Sequence, residues 1–432
     1  MVVLMAAIII SFNCAGSGDT GTQSISSLFG LWQAEIKAEE NSEWIALRFF
    51  PTGPDTFEGE FDLPDQLARD IPIDGFNARG RELTVGASSR NIFLRAEVDS
   101  SVQRMIGTIS IDGVEHAVQF EKVIFPSYLD PAGIVETPIT LGSEPSLLKG
   151  TFTTPRDAES YPVVILLQGS GSQDRDGMLG PNRVYRDIAW GLANSGIASV
   201  RYDKRSFLYP GSTMTEASMD SRFLELEYIE DALTAVQHAA DDPKATGIYL
   251  AGHSLGAIVA PSIASRAGNI EGLVLLAPVV RRHAQLAIDI NLYYDRIGKL
   301  DAAAREGLAD VIDIYEQLLE QELPPDLELR DGIFAAYYYE LDRYNLTDDL
   351  QTAGLPTLIV QGEKDFQALM DKDFLPLKQR FSRDDRFEFR SYKKLNHMFF
   401  TSPNRYSLWD EYREPAFVDR AVIRDIASWI AK

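Results

Sequence analysis

One short segment of the chain has residue types and spacing suited to nucleophilic catalysis. Residues 252–256 read GHSLG, preceded by an apolar run over 245–251 that predicts a strand and followed by a predicted helix. A serine on so tight a strand-to-helix turn has strained backbone angles, and flanking glycines leave room for the turn. We expect Ser254 to be a nucleophile; the alternative is a glycine-rich turn with an incidental serine. The predicted nucleophile elbow consists of Gly252, His253, Ser254, Leu255 and Gly256.

A serine hydroxyl needs a neighbouring base, and histidine is the side chain whose ordinary pKa suits that task. The chain has five histidines. His397 follows a predicted strand over 387–392, which puts it at the same carboxyl edge of the sheet as Ser254. Of the others, His116 falls in the N-terminal half and His238 in a predicted helix. His253 lies on the turn but is expected to point elsewhere, and His283 begins an insertion. His397 is therefore the predicted base.

The imidazole in turn needs a carboxylate that fixes its tautomer and stabilises its protonated form. Asp365 and Glu363 both follow a predicted strand over 356–360. Either of them could also be a solvated loop charge. We favour Asp365 as the acid, because its later position reaches farther past the strand towards the histidine loop.

The sequence pattern from residue 147 onward predicts a fold in which these side chains could meet. Apolar runs alternate with amphipathic helical segments, a pattern that predicts a mostly parallel, doubly wound sheet. In such a sheet, functional sites lie at the carboxyl ends of the strands. The strands are expected over 162–167, 197–203, 245–251, 272–277 and 356–360.

Three further stretches resemble bacterial carboxylesterases of the α/β-hydrolase superfamily. They are residues 168–177 (QGSGSQDRDG), 185–189 (YRDIA) and 201–205 (RYDKR). The order serine, aspartate, histidine along the chain is also that of the triad in this superfamily. The resemblance covers roughly residues 147–432 and implies an α/β-hydrolase fold.

The same resemblance implies roles for individual residues. Ser254 would be the nucleophile, Asp365 the acid and His397 the base. The backbone N–H groups of Ser170 and Leu255 would form the oxyanion hole, which binds the negative charge that develops during reaction. The charged run over 174–176 could bind a metal or substrate, but we favour the interpretation that internal ion pairs hold this loop.

A long segment separates the strand over 272–277 from the one over 356–360. Helical spacing of apolar residues over 308–319 predicts that it is a helical cap, at about 281–350, over the active site. Tyrosines are concentrated in it, and we favour packing of the cap over lining of an acyl or aryl pocket.

The N-terminal half has a different pattern of apolar residues. Over 28–125, short alternating runs separated by glycines predict an antiparallel barrel or sandwich. Residues 59–66 (GEFDLPDQ) and 71–73 (IPI) resemble a small β-rich domain that precedes the hydrolase domain in some exported bacterial esterases. We expect an accessory role for it, with a linker over 126–146.

Composition and the start of the chain bear on location. A net charge of −23 disfavours nucleic acid and anionic membrane surfaces as partners. An apolar run over 2–12, followed by Cys14 and small polar residues, resembles a lipoprotein signal within a signal and flexible segment over 1–27. The chain is thus expected to be exported, in the periplasm or anchored to the outer membrane through a lipidated Cys14. The alternative is an ordinary cleaved signal peptide with an incidental cysteine.

Together these features predict a serine hydrolase that cleaves small carboxylic esters through an acyl-enzyme, with no cofactor and no metal. A peptidase or a thioesterase could use the same triad. A non-catalytic binding protein of the cell envelope is the alternative from another class, suggested by the extra N-terminal domain.

Overall fold

The computed structural model describes residues 12–13, 25–37, 42–52, 56–144, 146–210, 222–330, 333–404 and 407–432. Cys14 and most of the expected signal and flexible segment over 1–27 lie outside the described residues, which include only Phe12, Asn13 and 25–27 of that segment. The chain divides into two compact units. The first comprises the described residues up to Phe125 with Leu179–Pro181, and the second comprises Pro126–Met178 with Asn182–Lys432. No helix within the described ranges is both long and apolar enough to cross a membrane.

An antiparallel sheet forms the first unit. Its strands are β1 Phe12–Asn13, β2 Gly30–Lys37, β3 Ser42–Pro51, β4 Thr56–Leu63, β5 Ala68–Pro72, β6 Gly75–Arg79, β7 Glu82–Ala87, β8 Ile92–Val98, β9 Arg104–Ile111 and β10 Val114–Lys122. Their order is β1-β4-β3-β2-β10-β9-β8-β7-β6, with β5 paired to β4. The N–H of Ile73 donates to Gly59 of β4 (2.9 Å), and the N–H of Asp74 donates to Gly86 of β7 (2.9 Å). The sheet therefore curls like a barrel, because one connecting segment joins strands from distant parts of the order.

The interior of this unit is filled by one face of each strand. In β8, buried and exposed residues alternate strictly, as the period-two sequence pattern predicts. The core includes five large, fully buried aromatic side chains: Trp32, Phe49, Phe57, Phe61 and Phe120. Burial of each side chain of this size contributes roughly 1.5–3 kcal/mol. The prediction of a small all-β domain ahead of the hydrolase domain is confirmed.

A mixed sheet forms the centre of the second unit. The remaining strands are β11 Ile134–Leu141, β12 Leu148–Pro155, β13 Tyr161–Leu167, β14 Met178–Leu179, β15 Asn182–Arg183, β16 Ala198–Tyr202, β17 Ala245–His253, β18 Gly272–Leu276, β19 Glu328–Arg330, β20 Ile333–Phe334, β21 Thr357–Gly362 and β22 Phe387–Tyr392. The sheet has the order β11-β12-β16-β13-β17-β18-β21-β22. It is parallel from β16 onward, and β11 and β12 run antiparallel at one edge. The parallel strands thus bring their carboxyl ends to a single edge of the sheet.

Helices flank this sheet. They are α1 Val184–Ala193, α2 Arg205–Leu208, α3 Asp231–Ala240, α4 Leu255–Ala267, α5 His283–Arg296, α6 Ala302–Glu306, α7 Leu308–Glu320, α8 Ala335–Leu341, α9 Leu346–Ala353, α10 Leu375–Arg380 and α11 Arg420–Ile430. π-Helical turns over Glu225–Glu230 and Met370–Phe374 precede α3 and α10. Every residue of β16 and β18 is buried, as expected for strands covered on both faces. The second unit therefore has the predicted α/β-hydrolase architecture.

One predicted segment differs from the structure. The linker expected over 126–146 contains β11, which pairs antiparallel with β12 along its whole length. Only the two end residues of β11, Ile134 and Leu141, are buried. An edge strand that buries so little has no apolar alternation, so its sequence resembles that of a linker.

The segment between β18 and β21 contains α5 to α9 and the short β19–β20 pair. Ala284 of α5, Leu318 of α7 and two residues of α8, Ala335 and Tyr338, form a separate small core. Tyr338 is thus part of the packing within this insertion.

Candidate active site

Ser254 occupies the turn between β17 and α4. Its backbone angles are φ 54° and ψ −116°, a conformation that residues with side chains rarely adopt. A Cβ atom on Gly252 would lie 2.3 Å from the Gly256 carbonyl oxygen, and one on Gly256 would lie 2.4 Å from that of Leu167. The Ser254 N–H donates to the Leu276 carbonyl of β18 (2.9 Å). The glycines thus permit the close packing that holds the serine in its strained turn.

Asp365 and His397 form a buried hydrogen-bonded pair. His397 Nδ1 lies 2.7 Å from Asp365 Oδ2, and both side chains are almost fully buried. Asp365 also accepts the N–H groups of Gln367 (2.7 Å) and Ala368 (3.0 Å) and the side-chain amide of Gln361 (3.0 Å). With the carboxylate held in this way, Nδ1 carries the proton and the Nε2 lone pair of the imidazole is left to accept one.

A close backbone approach brings this acid and this base together. A Cβ atom on Gly362, the last residue of β21, would lie 2.4 Å from the Leu395 carbonyl oxygen and 2.5 Å from that of Asn396. The loop that carries His397 therefore passes directly over the end of the strand that carries Asp365. Glu363, the rival acid, is exposed and accepts a hydrogen bond from Ser391 instead (2.8 Å).

His253, next to the nucleophile, lies between the His397 loop and Tyr185. Its Nε2 lies 3.0 Å from the His397 carbonyl oxygen and must donate to it. Its Nδ1 lies 3.2 Å from the Tyr185 hydroxyl and is left as an acceptor. Burial, with a smaller contribution from nearby His397, lowers the pKa of His253 to about 3. His253 is therefore neutral and ties the His397 loop to the nucleophile turn.

The loop after β13 passes beside the nucleophile. A Cβ atom on Gly169 would lie 3.3 Å from the Ser254 Cβ. The Gly169 N–H donates to the Tyr185 hydroxyl (2.9 Å), and the next N–H along the loop belongs to exposed Ser170. Leu255 is the first residue of α4, and the first N–H groups of a helix have no acceptor within it. Ser170 and Leu255, the expected oxyanion donors, thus belong to the two backbone segments that flank Ser254.

Ion pairs hold the aspartate-rich part of this loop. Arg175 Nη1 lies 2.6 Å from Asp203 Oδ2, and Arg201 Nε lies 2.8 Å from Asp176 Oδ1. Asp174 accepts a backbone N–H (2.7 Å). Ion pairs to β16 and to the residue just after it therefore hold this loop, in line with the expectation of ion pairs. Within the described ranges, no group of three or more His, Cys, Asp or Glu side chains is arranged to hold a metal ion.

The comparison with protein families identifies the chain. A model of the family described as serine aminopeptidase, S33, matches residues 176–404. The chain belongs to this family. Esterase EstD of Thermotoga maritima is 32% identical to it over 307 residues, which cover 71% of this chain and 70% of EstD. The protein is thus a carboxylesterase-like α/β-hydrolase with an additional β-rich domain at its N-terminus.

Several solved structures resemble part of this hydrolase. Est1E from Butyrivibrio proteoclasticus matches with 17% identity and a TM-score of 0.42, covering 68% of this chain and 99% of Est1E. The esterase Pf2001 from Pyrococcus furiosus matches with 14% identity and a TM-score of 0.44, covering 72% of this chain and 95% of Pf2001.

A buried cluster under the loop after β13 was not predicted from the sequence. It consists of Lys204, Glu227 and Tyr228, each nearly inaccessible to solvent. Lys204 lies in the stretch 201–205, whose sequence resembles that of bacterial carboxylesterases. The sequence did contain a clue to this cluster. Glu227 lies four residues after buried Phe223 and so shares the apolar face of that helical segment. A carboxylate on an apolar face implies a buried cation as its partner.

The depressed pKa of His253 predicts a pH dependence of the stability of this hydrolase. Between pH 6.5 and about pH 3 the unfolded chain binds a proton that folded His253 does not, so stability falls as the pH falls. From pH 7 to pH 5 this group should remove about 2 kcal/mol of unfolding free energy. A His253→Gln variant keeps a donor and an acceptor but does not titrate. Urea unfolding at both pH values should therefore show a smaller loss in this variant, and equal losses would contradict the assignment.

Proposed function

We propose that this hydrolase is a serine esterase in which Ser254 is the nucleophile, His397 the general base and Asp365 the residue that orients the base. The proposal is carried by the buried Asp365–His397 pair, whose atoms are 2.7 Å apart, at the sheet edge where Ser254 occupies its strained turn. This combination of groups is suited to activating a hydroxyl at neutral pH.

The proposed reaction has two half-reactions. His397 Nε2 takes the proton of the Ser254 hydroxyl while the serine oxygen attacks the ester carbonyl. The N–H groups of Ser170 and Leu255 stabilise the resulting oxyanion. The tetrahedral intermediate expels the alcohol, which receives the proton from His397, and an acyl-enzyme remains. Water then loses a proton to His397 and attacks the acyl carbon, which releases the acid and returns the proton to Ser254.

A panel of substrates tests the choice of ester over amide and thioester. The curated relative EstD is named an esterase, whereas the matching family model is described as an aminopeptidase, so both activities need to be measured. We expect kcat/KM to be higher for p-nitrophenyl esters of short acids than for aminoacyl p-nitroanilides and acyl-CoA thioesters. Higher efficiency on the anilides would identify a peptidase instead, with Ser254→Ala as the background control in each assay.

The identity of the acid can be tested by a matched pair of variants. Asp365→Asn keeps the size of the side chain but removes the charge that compensates the protonated imidazole, so kcat should fall by about 10⁴-fold. Glu363→Gln makes the same chemical change two residues earlier, on an exposed side chain. It should leave kcat within about twofold of the wild type, because surface substitutions away from a site usually have small effects. The reverse ranking in a p-nitrophenyl ester assay would make Glu363 the acid.

A further inference from the structure

A buried ammonium group lies under the loop that carries Ser170. The side chain of Lys204, which follows β16, is 1% exposed. Its Nζ donates to the carbonyl oxygens of Gly169 (3.1 Å) and Gly171 (2.7 Å) and to the Tyr228 hydroxyl (2.6 Å). Two carbonyls of one short loop are thus held by a single cation.

These three hydrogen bonds determine the protonation state of Lys204. Both carbonyls can only accept, and the Tyr228 hydroxyl donates its own hydrogen to the Gly169 carbonyl (2.7 Å). Lys204 must therefore donate three hydrogens, which requires the charged ammonium form. Glu227 Oε1 lies 2.8 Å from Nζ and supplies the compensating charge. Burial lowers the pKa of Lys204, and the Glu227 carboxylate opposes that change.

A buried ion pair is poor evidence of a gain in stability, since the loss of hydration can exceed the attraction between the charges. The position of this pair is more informative. The Gly169 carbonyl and the Ser170 N–H belong to the same planar trans peptide, so they point in opposite directions. Lys204 and Tyr228 fix the direction of the carbonyl and thereby fix the direction of the N–H.

The backbone of this loop also adjoins the nucleophile. A Cβ atom on Gly169 would lie 3.3 Å from the Ser254 Cβ, so this backbone lies against the elbow. Electrostatics act in the same sense as geometry. A cation bound to the carbonyl end of a peptide draws electrons from it, which makes its N–H a stronger donor.

We propose that Lys204, supported by Tyr228, is a positioning residue for the oxyanion hole. It anchors the Gly169 and Gly171 carbonyls, holds the Ser170 N–H towards the developing oxyanion and polarises that peptide. This inference rests on the proposed esterase function. The described hydrogen bonds of Lys204 go to the carbonyls of this loop and to Tyr228, so we expect its effect on the reaction to pass through Ser170.

The test is a double variant, Lys204→Met with Glu227→Gln, which removes both charges and leaves no lone buried ion. On a p-nitrophenyl ester we expect kcat to fall by about 10- to 100-fold, somewhat less than for loss of an oxyanion donor itself. KM should stay within about threefold, because the lost interaction forms mainly in the transition state. The acid limb of the pH profile of kcat/KM, which reports the free enzyme's base, should keep its midpoint.

Two further variants keep the proposal falsifiable if the double variant does not fold. Tyr228→Phe removes one donor to Gly169 and should lower kcat about 3- to 10-fold with KM unchanged. Lys149→Met, an exposed lysine on β12, should match the wild type. Wild-type kcat in Tyr228→Phe or in a folded double variant would overturn the role of Lys204. A wild-type protein without Ser254-dependent ester hydrolysis would instead overturn the proposed function.

Discussion

Replacing Ser254 with alanine is expected to lower kcat on p-nitrophenyl esters by about 10⁵- to 10⁶-fold and to abolish covalent labelling by a fluorophosphonate probe. Without the hydroxyl there is no nucleophile for His397 to activate, and no acyl-enzyme can form. The residual rate should be that of a bound water attacking in the same pocket. A stopped assay for ester hydrolysis and gel detection of the labelled protein measure the two effects separately.

Ser382→Ala provides the matched control for this experiment. Ser382 is an exposed serine in the same unit, and its hydroxyl donates to a backbone carbonyl (3.1 Å). This variant should keep both labelling and turnover. If the folded wild-type protein is not labelled, the serine is not activated. That result would favour the alternative of a binding protein that retains the α/β-hydrolase scaffold without its chemistry.

The local parts of the fold and the site could be predicted from the sequence. Five expected strands, over 162–167, 197–203, 245–251, 272–277 and 356–360, match β13, β16, β17, β18 and β21 to within two residues at either end. A strand buried on both faces has a continuous apolar sequence, so it can be recognised without knowing which strands pair with it. The elbow at Ser254 could be recognised for a similar reason. The glycine at position 252 is required by close contact with Gly256, within the same turn.

The parts that could not be predicted depend on contacts between distant segments. β11 is recognisable only through its pairing with β12, because its own residues are mostly exposed. Lys204 and Glu227 are 23 residues apart, and charged side chains in a sequence normally indicate solvent exposure. His253 was expected to aim away from the site, but its bond to the His397 carbonyl makes it part of the site's support. Each of these roles follows from tertiary packing.

Replacing His397 with alanine is expected to lower kcat by about as much as loss of Ser254, roughly 10⁵- to 10⁶-fold. The serine would keep its turn but would lose the group that takes its proton and later protonates the leaving alcohol. Because nucleophile and base act as a unit, the Ser254→Ala, His397→Ala double variant should be no slower than either single variant by more than a few fold. Steady-state kinetics on one p-nitrophenyl ester measure all three.

His253 is the histidine to consider as a replacement base, since its ring centre lies 4.7 Å from that of His397. Its geometry argues against this role. Its Nε2 hydrogen is donated to a backbone carbonyl, its Nδ1 faces the Tyr185 hydroxyl, and a pKa of about 3 makes it a weak proton acceptor at neutral pH. His397→Ala should therefore be inactive although His253 is present. Substantial turnover in a folded His397→Ala protein would mean that another group serves as the base.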